Sequence, residues 1–340
     1  MSDPLRRPAS EDQREERLFE IRREAENTGR VQAIGIRPAG APFPVASPET
    51  GYYGVPLLKQ PAWSWEIPLY FFAGGAAGSA AVLALPARWI ARDRRLARDC
   101  RYLAAAGTAA STALLISDLG RPARFLGMMR VFKKQSPMSV GAWTLAVFGT
   151  FAAASAFAQV LDRRFGFVPI RILGNLSEGV SALAGLPFSS YTGVLIGASV
   201  IPVWNENAGT LPIHFGMSGL NSAVSILELM GHENRALNTL GMGASAIETL
   251  EGLNIEVSSS PAMGPLKRGR SGAITRIGGL LSGPLPLALR LAAAFAGRRR
   301  SRQLRKVAAV SSIAGSLLTR VAWLQAGHAS AKNWRLPLED

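Results

Sequence analysis

From Trp63 the chain reads WSWEIPLYFFAGGAAGS and then stays apolar to about Ile90. At 1.5 Å per residue, a helix of that length crosses a hydrocarbon core of about 30 Å. Inside a bilayer no water is present to satisfy backbone N–H and C=O groups, so such a segment must pair its own backbone as a helix. Trp63 and Trp65 fit a membrane–water boundary, where an indole keeps its ring in lipid and its N–H among headgroups. Glu66 and Tyr70 lie one turn apart on one face. A carboxyl and a phenol at that depth are costly against lipid, so the face is expected to point into the protein. Gly74 and Gly78 form a GxxxG pair, which permits close approach of a second helix.

Composition extends this reading to the whole chain. Of 340 residues, 48% are hydrophobic and only 18% charged, which fits a polytopic helical membrane protein. The first apolar run starts beyond residue 60 and is too long for a signal h-region, so no cleavable signal is expected. The net charge is +15, and the first 60 residues are balanced, with nine Lys/Arg and nine Asp/Glu. The excess lies in the short connections between apolar runs, as for loops that touch anionic headgroups. A nucleic-acid partner would need one coherent basic patch, which this pattern does not give. Cys100 is the single cysteine, so an intrachain disulfide and an iron–sulfur cluster held by this chain alone are both excluded. His214, His232 and His328 lie near segment ends, and no two form the pair at one depth that a bis-histidine haem needs. No haem, cluster or other metal site is expected. Neither a P-loop, a GxGxxG following a strand, nor HExxH occurs.

In chain order, a polar tail comes first. Its short helix is expected after Ser10 and Gln13, a capping box, and stops at Gly29. Residues 31–60 are rich in Pro and Gly and read as extended, with Tyr52 and Tyr53 available for packing. Spans are expected at about 67–90, 102–117, 140–161, 213–230, 237–257, 274–296 and 307–326. A further region, 170–204, is too long for one straight crossing. Pro187 is expected to kink it into one helix from about Asn175 to Trp204. Between the second and third spans, Pro122 can start a short interfacial helix, with Phe125 in the membrane surface and Arg121 and Arg124 snorkelling outward. The division is thus a polar segment 1–62, a transmembrane domain 63–330 and a tail 331–340. Lys/Arg number 16 on the side away from the termini and 12 on the side of the termini, a slight lean toward termini outside the cytoplasm. The polar residues at membrane depth or its edge are Glu66, Tyr70, Asp118, Glu178, Tyr191, Glu228, Glu248, Glu251 and Arg320.

Four blocks, WSWEIPLYFFAGGAAG, SDLGRPARFLGMMRVFKKQSPMSVGAW, YTGVLIGASVIPVWN and LLTRVAWLQAGHAS, together resemble the NrfD family, which includes the membrane subunit of polysulfide reductase. The resemblance implies an all-α integral membrane fold of about eight transmembrane helices in two four-helix bundles. It implies a quinone (menaquinone or ubiquinone) as bound substrate, a ferredoxin-like iron–sulfur subunit as partner and, beyond it, a molybdopterin-dependent catalytic subunit. The chain would then be a respiratory electron-transport subunit of the bacterial inner or plasma membrane, with no catalysis of its own. Tyr191 matches the tyrosine that hydrogen-bonds a quinone carbonyl. The Asn and His that complete the family site fall on Ile67 and Tyr70, so that pair is absent and Glu66 and Tyr70 stand in. With Trp65 these form the expected quinone site, and apolar walls from Phe71, Phe72 and the kinked helix through Pro187 are expected to hold the isoprenoid tail. Asp118 matches an acidic position of a proton route, to which Glu66 and Glu178 are added as membrane-embedded acids. Arg121, Arg124 and Phe125 match a partner-facing loop. A structural anchor without quinone chemistry is the alternative; a transporter is disfavoured because no inverted repeat or matched pair of broken helices is visible.

Overall fold

A computed structural model describes residues 58–119 and 123–333, together with 19–20 and 23–24. The capping box at Ser10, the extended segment through Tyr52 and Tyr53, Arg121, Pro122 and the last seven residues lie outside the described residues. The chain divides into two units at residues 55 and 56, and all the helices from Glu66 onward belong to the second.

Its helices are α1 (Glu66–Trp89), α2 (Arg94–Asp118), α3 (Ala123–Met128), α4 (Pro137–Phe165), α5 (Val168–Gly197), α6 (Pro202–Asn205), α7 (Leu211–Leu229), α8 (Arg235–Val257), α9 (Gly264–Lys267), α10 (Gly269–Ser282), α11 (Pro284–Phe295) and α12 (Arg298–Lys332). No strand occurs among the described residues. By length and composition α1, α4, α5, α12 and the α10–α11 pair suffice to cross a membrane. The chain is an all-α, multi-pass membrane protein. The other long helices, α2, α7 and α8, carry more polar residues, many of which face inward: Asp99, Arg101, Asn221, Glu228 and Glu248 are all buried.

Local chemistry sets the boundaries. Asp93 caps α2 by accepting from the backbone N–H of Arg95 and of Leu96, at 3.0 and 2.9 Å. Ser136 caps α4, where Pro137 supplies the pre-set first turn. Gly166, at φ 61°, ends α4 in the left-handed conformation that a side chain disfavours. Two expectations need correction. The helix through Pro187 runs from Val168 and stops at Gly197, short of Trp204. Pro202 forces Ile201 into an extended conformation (ψ 121°), so Trp204 belongs to the separate turn α6. The expected span at 274–296 is two helices broken at Gly283 and Pro284, where proline ends the first ladder.

α1, α2, α4 and α5 pack as one four-helix group; α7, α8, α10–α11 and α12 form another. α1 is shared, since it also packs on α7 and α12. The approach to the neighbours is closest at glycines. A Cβ on Gly78 would lie 2.6 Å from the Gly185 carbonyl oxygen in α5, and one on Gly219 in α7 would lie 2.8 Å from that of Gly75. Each group also buries one acid between two arginines. Glu178 meets Arg88 at 2.8 Å and Arg101 at 2.7 Å; Glu228 meets Arg290 at 2.8 Å and Arg305 at 2.7 Å. Both clusters lie toward the end holding residues 90–93, 166–167 and 230–234. There His232 contacts Asp99 at 3.0 Å and ties the two groups together.

Candidate functional site

At the opposite end, the first group encloses a cavity of about 130 Å³. α1 supplies Ile67, Tyr70 and Phe71, which fall on one helical face with Trp63 just before the helix. Asp118 from the end of α2, Gly141 from α4 and Tyr191 from α5 complete the polar and close-packed parts of the wall. The rest is apolar: Leu115, Met128, Met138 and Leu195 among others.

Tyr191 is buried, and its hydroxyl has no hydrogen-bond partner among the described residues. Its ring lies against the backbone of Gly141, where any Cβ would overlap it. A phenol buried without a partner forfeits the hydration it would have in water, a cost that a ligand oxygen in the cavity removes. Tyr70, 4% exposed, lines the same space from α1. Asp118 stands at the edge, and its Oδ1 accepts from the Ser64 hydroxyl at 2.6 Å. That hydroxyl also contacts Glu66. One hydroxyl proton cannot serve two carboxylate oxygens together, so Ser64 donates to one acid at a time and links the pair.

The second group holds the approach to the cavity in place. Trp63 stacks on Trp204 with ring centroids 5.4 Å apart. The Trp204 indole donates to the Trp323 carbonyl of α12 at 2.9 Å. His328 lies between the carbonyls of Leu324 and Pro61, at 2.8 and 2.9 Å, and so fastens the segment before α1 to α12.

Of the residues named from sequence, Tyr70, Tyr191 and Asp118 meet at one cavity, and Glu66 joins them through Ser64. Trp65 does not: it is 68% exposed and points away, and Trp63 takes the place assigned to it. Glu178 is also elsewhere, locked between Arg88 and Arg101 near the far end of α1, about 30 Å along the helix at 1.5 Å per residue. Phe125 is half-buried on α3; Arg121 and the side chain of Arg124 lie outside the described residues. Phe71 lines the cavity, whereas Phe72, expected beside it, packs under Arg320 instead; Ile67 and Trp63 were not assigned to the wall, although their spacing from Tyr70 was a readable signal. Glu248 and Arg320 form a separate buried set in the second group. Arg320 donates to Ser218 at 2.8 Å and packs over Phe215 and Phe72. Glu248 has no partner in hydrogen-bonding geometry among the described residues.

A model of the polysulphide reductase family NrfD matches residues 57–251, more than half of the chain. The chain belongs to the NrfD family. Three of the four sequence blocks fall inside the matched range, as do all walls of the cavity. LLTRVAWLQAGHAS, which supplies the anchors at Trp323 and His328, lies beyond it. A search of curated proteins finds no match. NrfD proteins are membrane subunits of oxidoreductase complexes, and among the described residues no group of His, Cys, Asp and Glu is placed to hold a metal ion.

Proposed function

We propose that this chain binds quinone or quinol in the Tyr70–Tyr191–Asp118 cavity and exchanges electrons with an iron–sulfur partner subunit that serves a molybdopterin enzyme in the bacterial cell membrane. The observation that carries this reading is the buried, unpartnered Tyr191 hydroxyl inside an apolar cavity that also holds a carboxylate. A bound quinone supplies a two-electron carrier whose oxygens take up or release protons with the electrons. The Tyr191 hydroxyl donates to a carbonyl oxygen of the ring. The Asp118 carboxylate is positioned to accept a proton released on oxidation and, through Ser64, to share it with Glu66 toward the surface. Phe71 and the apolar walls bind the ring and the start of its tail. The two electrons leave to the partner, and two protons leave by the acids. The connection beside the cavity exposes Arg130, Val131, Phe132, Lys133 and Lys134, a mixed apolar and basic surface suited to a docked subunit.

Quinol oxidation by the assembled complex tests this. Tyr191→Phe removes one hydrogen bond worth about 0.5–1.5 kcal/mol, so quinol affinity falls roughly threefold to tenfold. Asp118→Asn slows turnover. Unchanged turnover and affinity in both variants, with no quinone extracted from the purified complex, would leave a structural anchor as the better reading.

A further inference from the structure

At the end away from the quinone cavity lies a larger pocket of about 560 Å³, between the α1–α2 turn and the α4–α5 turn. Six arginines line it: Arg88, Arg92, Arg94, Arg98, Arg101 and Arg171. Three carboxylates answer them directly: Glu178 takes Arg88 and Arg101, Asp99 takes Arg98, and Asp162 takes Arg171 at 3.2 Å. Arg92 and Arg94 have no ion pair or side-chain hydrogen bond among the described residues. Asp93, between them, turns its carboxylate to the backbone amides that begin α2. Even with Asp93 counted, the mouth holds six positive charges to four negative.

The turn is also built in an unusual way. Arg92 has φ 54°, the left-handed region that crowding at Cβ makes rare for any residue but glycine. An arginine retained in that conformation, lining the pocket beside a second unpaired arginine, is placed for a ligand. The rim carries the other half of the chemistry. Trp89 is 69% exposed at the pocket edge and Ile170 stands in the wall, while Ile172, Leu173 and Leu176 are exposed on the face of α5 turned from the pocket. A soluble anion would have no use for the apolar side chains of Trp89 and Ile170. An anion joined to hydrocarbon chains would use both surfaces.

We propose that this pocket holds the headgroup of an anionic phospholipid, its phosphate between Arg92 and Arg94 and its acyl chains leaving past Trp89 and Ile170. Arginine forks match phosphate oxygens two at a time, and basic pockets between transmembrane helices suit such headgroups. The proposal does not depend on quinone binding.

The test uses the full chain, delipidated and returned to nanodiscs of phosphatidylcholine with a minor share of phosphatidylglycerol, with bound lipid counted by native mass spectrometry. Wild type should retain phosphatidylglycerol over phosphatidylcholine. Arg92→Gln with Arg94→Gln should weaken that retention about 30-fold, which is about 2 kcal/mol for two arginines. Arg298→Gln with Arg299→Gln, on the same side but outside the pocket, should change it less than about twofold. Equal retention of the two lipids by wild type overturns the proposal and needs no variant. So does an equal loss in the control pair, which would mean diffuse surface attraction. Displacement by millimolar inorganic phosphate would reassign the pocket to a free anion, and displacement by a polyglutamate peptide to an acidic protein segment.

Discussion

Glu178→Gln separates a structural acid from a proton-carrying one. The Glu178 side chain is 1% exposed and accepts from Arg101 Nε at 2.9 Å, Arg101 Nη2 at 2.7 Å and Arg88 Nη1 at 2.8 Å. Removing its charge leaves two guanidiniums without their anion. Breaking a buried pair costs about 3–5 kcal/mol. Arg88 keeps a quarter of its side chain in contact with solvent, which recovers part of that, so about 3 kcal/mol is expected. That is a large share of the 5–15 kcal/mol typical of a folded domain. Cys100, the single cysteine and fully buried one residue before Arg101, reports the loss directly. Its labelling by a thiol-reactive dye on heating should begin at a clearly lower temperature in the variant. Quinol turnover at temperatures below that melt should stay near wild type, because the cavity lies at the other end of α1. An unchanged melt with lost turnover would refute the argument and return Glu178 to the proton route that the sequence implied.

Gly141→Ala places a methyl inside the Tyr191 ring, and overpacking of this kind costs about 1–3 kcal/mol. Quinol KM should rise about tenfold and the Cys100 melt should fall by several degrees; equal KM values would show that the ring position is unimportant. His328→Leu releases the Pro61 carbonyl, so proteolysis before Trp63 should speed up several-fold, and an unchanged rate would show that the segment is held elsewhere. Asp99 stands ahead of the apolar part of α2. Burial raises its carboxyl pKa, but hydrogen bonds with Arg98 at 2.7 Å and His232 at 3.0 Å outweigh that and hold it below the usual carboxylate range. A group held low in the folded state contributes stability above its unfolded pKa of about 3.9, and that stability is lost as pH falls through the folded value. The melting temperature should therefore drop on acidification below about pH 4, and less so in Asp99→Asn.

The helical architecture was legible because lipid allows a long apolar run so few alternatives. Tyr70, Tyr191 and Asp118 could be drawn together by resemblance, and a helical wheel places Trp63 with Ile67, Tyr70 and Phe71 while Trp65 falls on the other side. Glu178 was not legible. Its partners are 77 and 90 residues away in sequence, and nothing local indicates that two arginines from α1 and α2 converge on it. The end of α5 at Gly197 was missed for a simpler reason: the extended residue that Pro202 imposes on Ile201 counts for more than the apolar pattern continuing across it.

The glycine contacts of α1 have a mechanical consequence. Gly78 against Gly185 and Gly75 against Gly219 seat one helix against both halves with backbones almost touching. At such separations even one added methyl on either glycine would meet main chain, so the halves have little room to slide past each other. A carrier that rocks to expose its cargo first to one compartment and then to the other needs a joint that moves. This joint is close-set, and it suits a membrane subunit that works without such rocking.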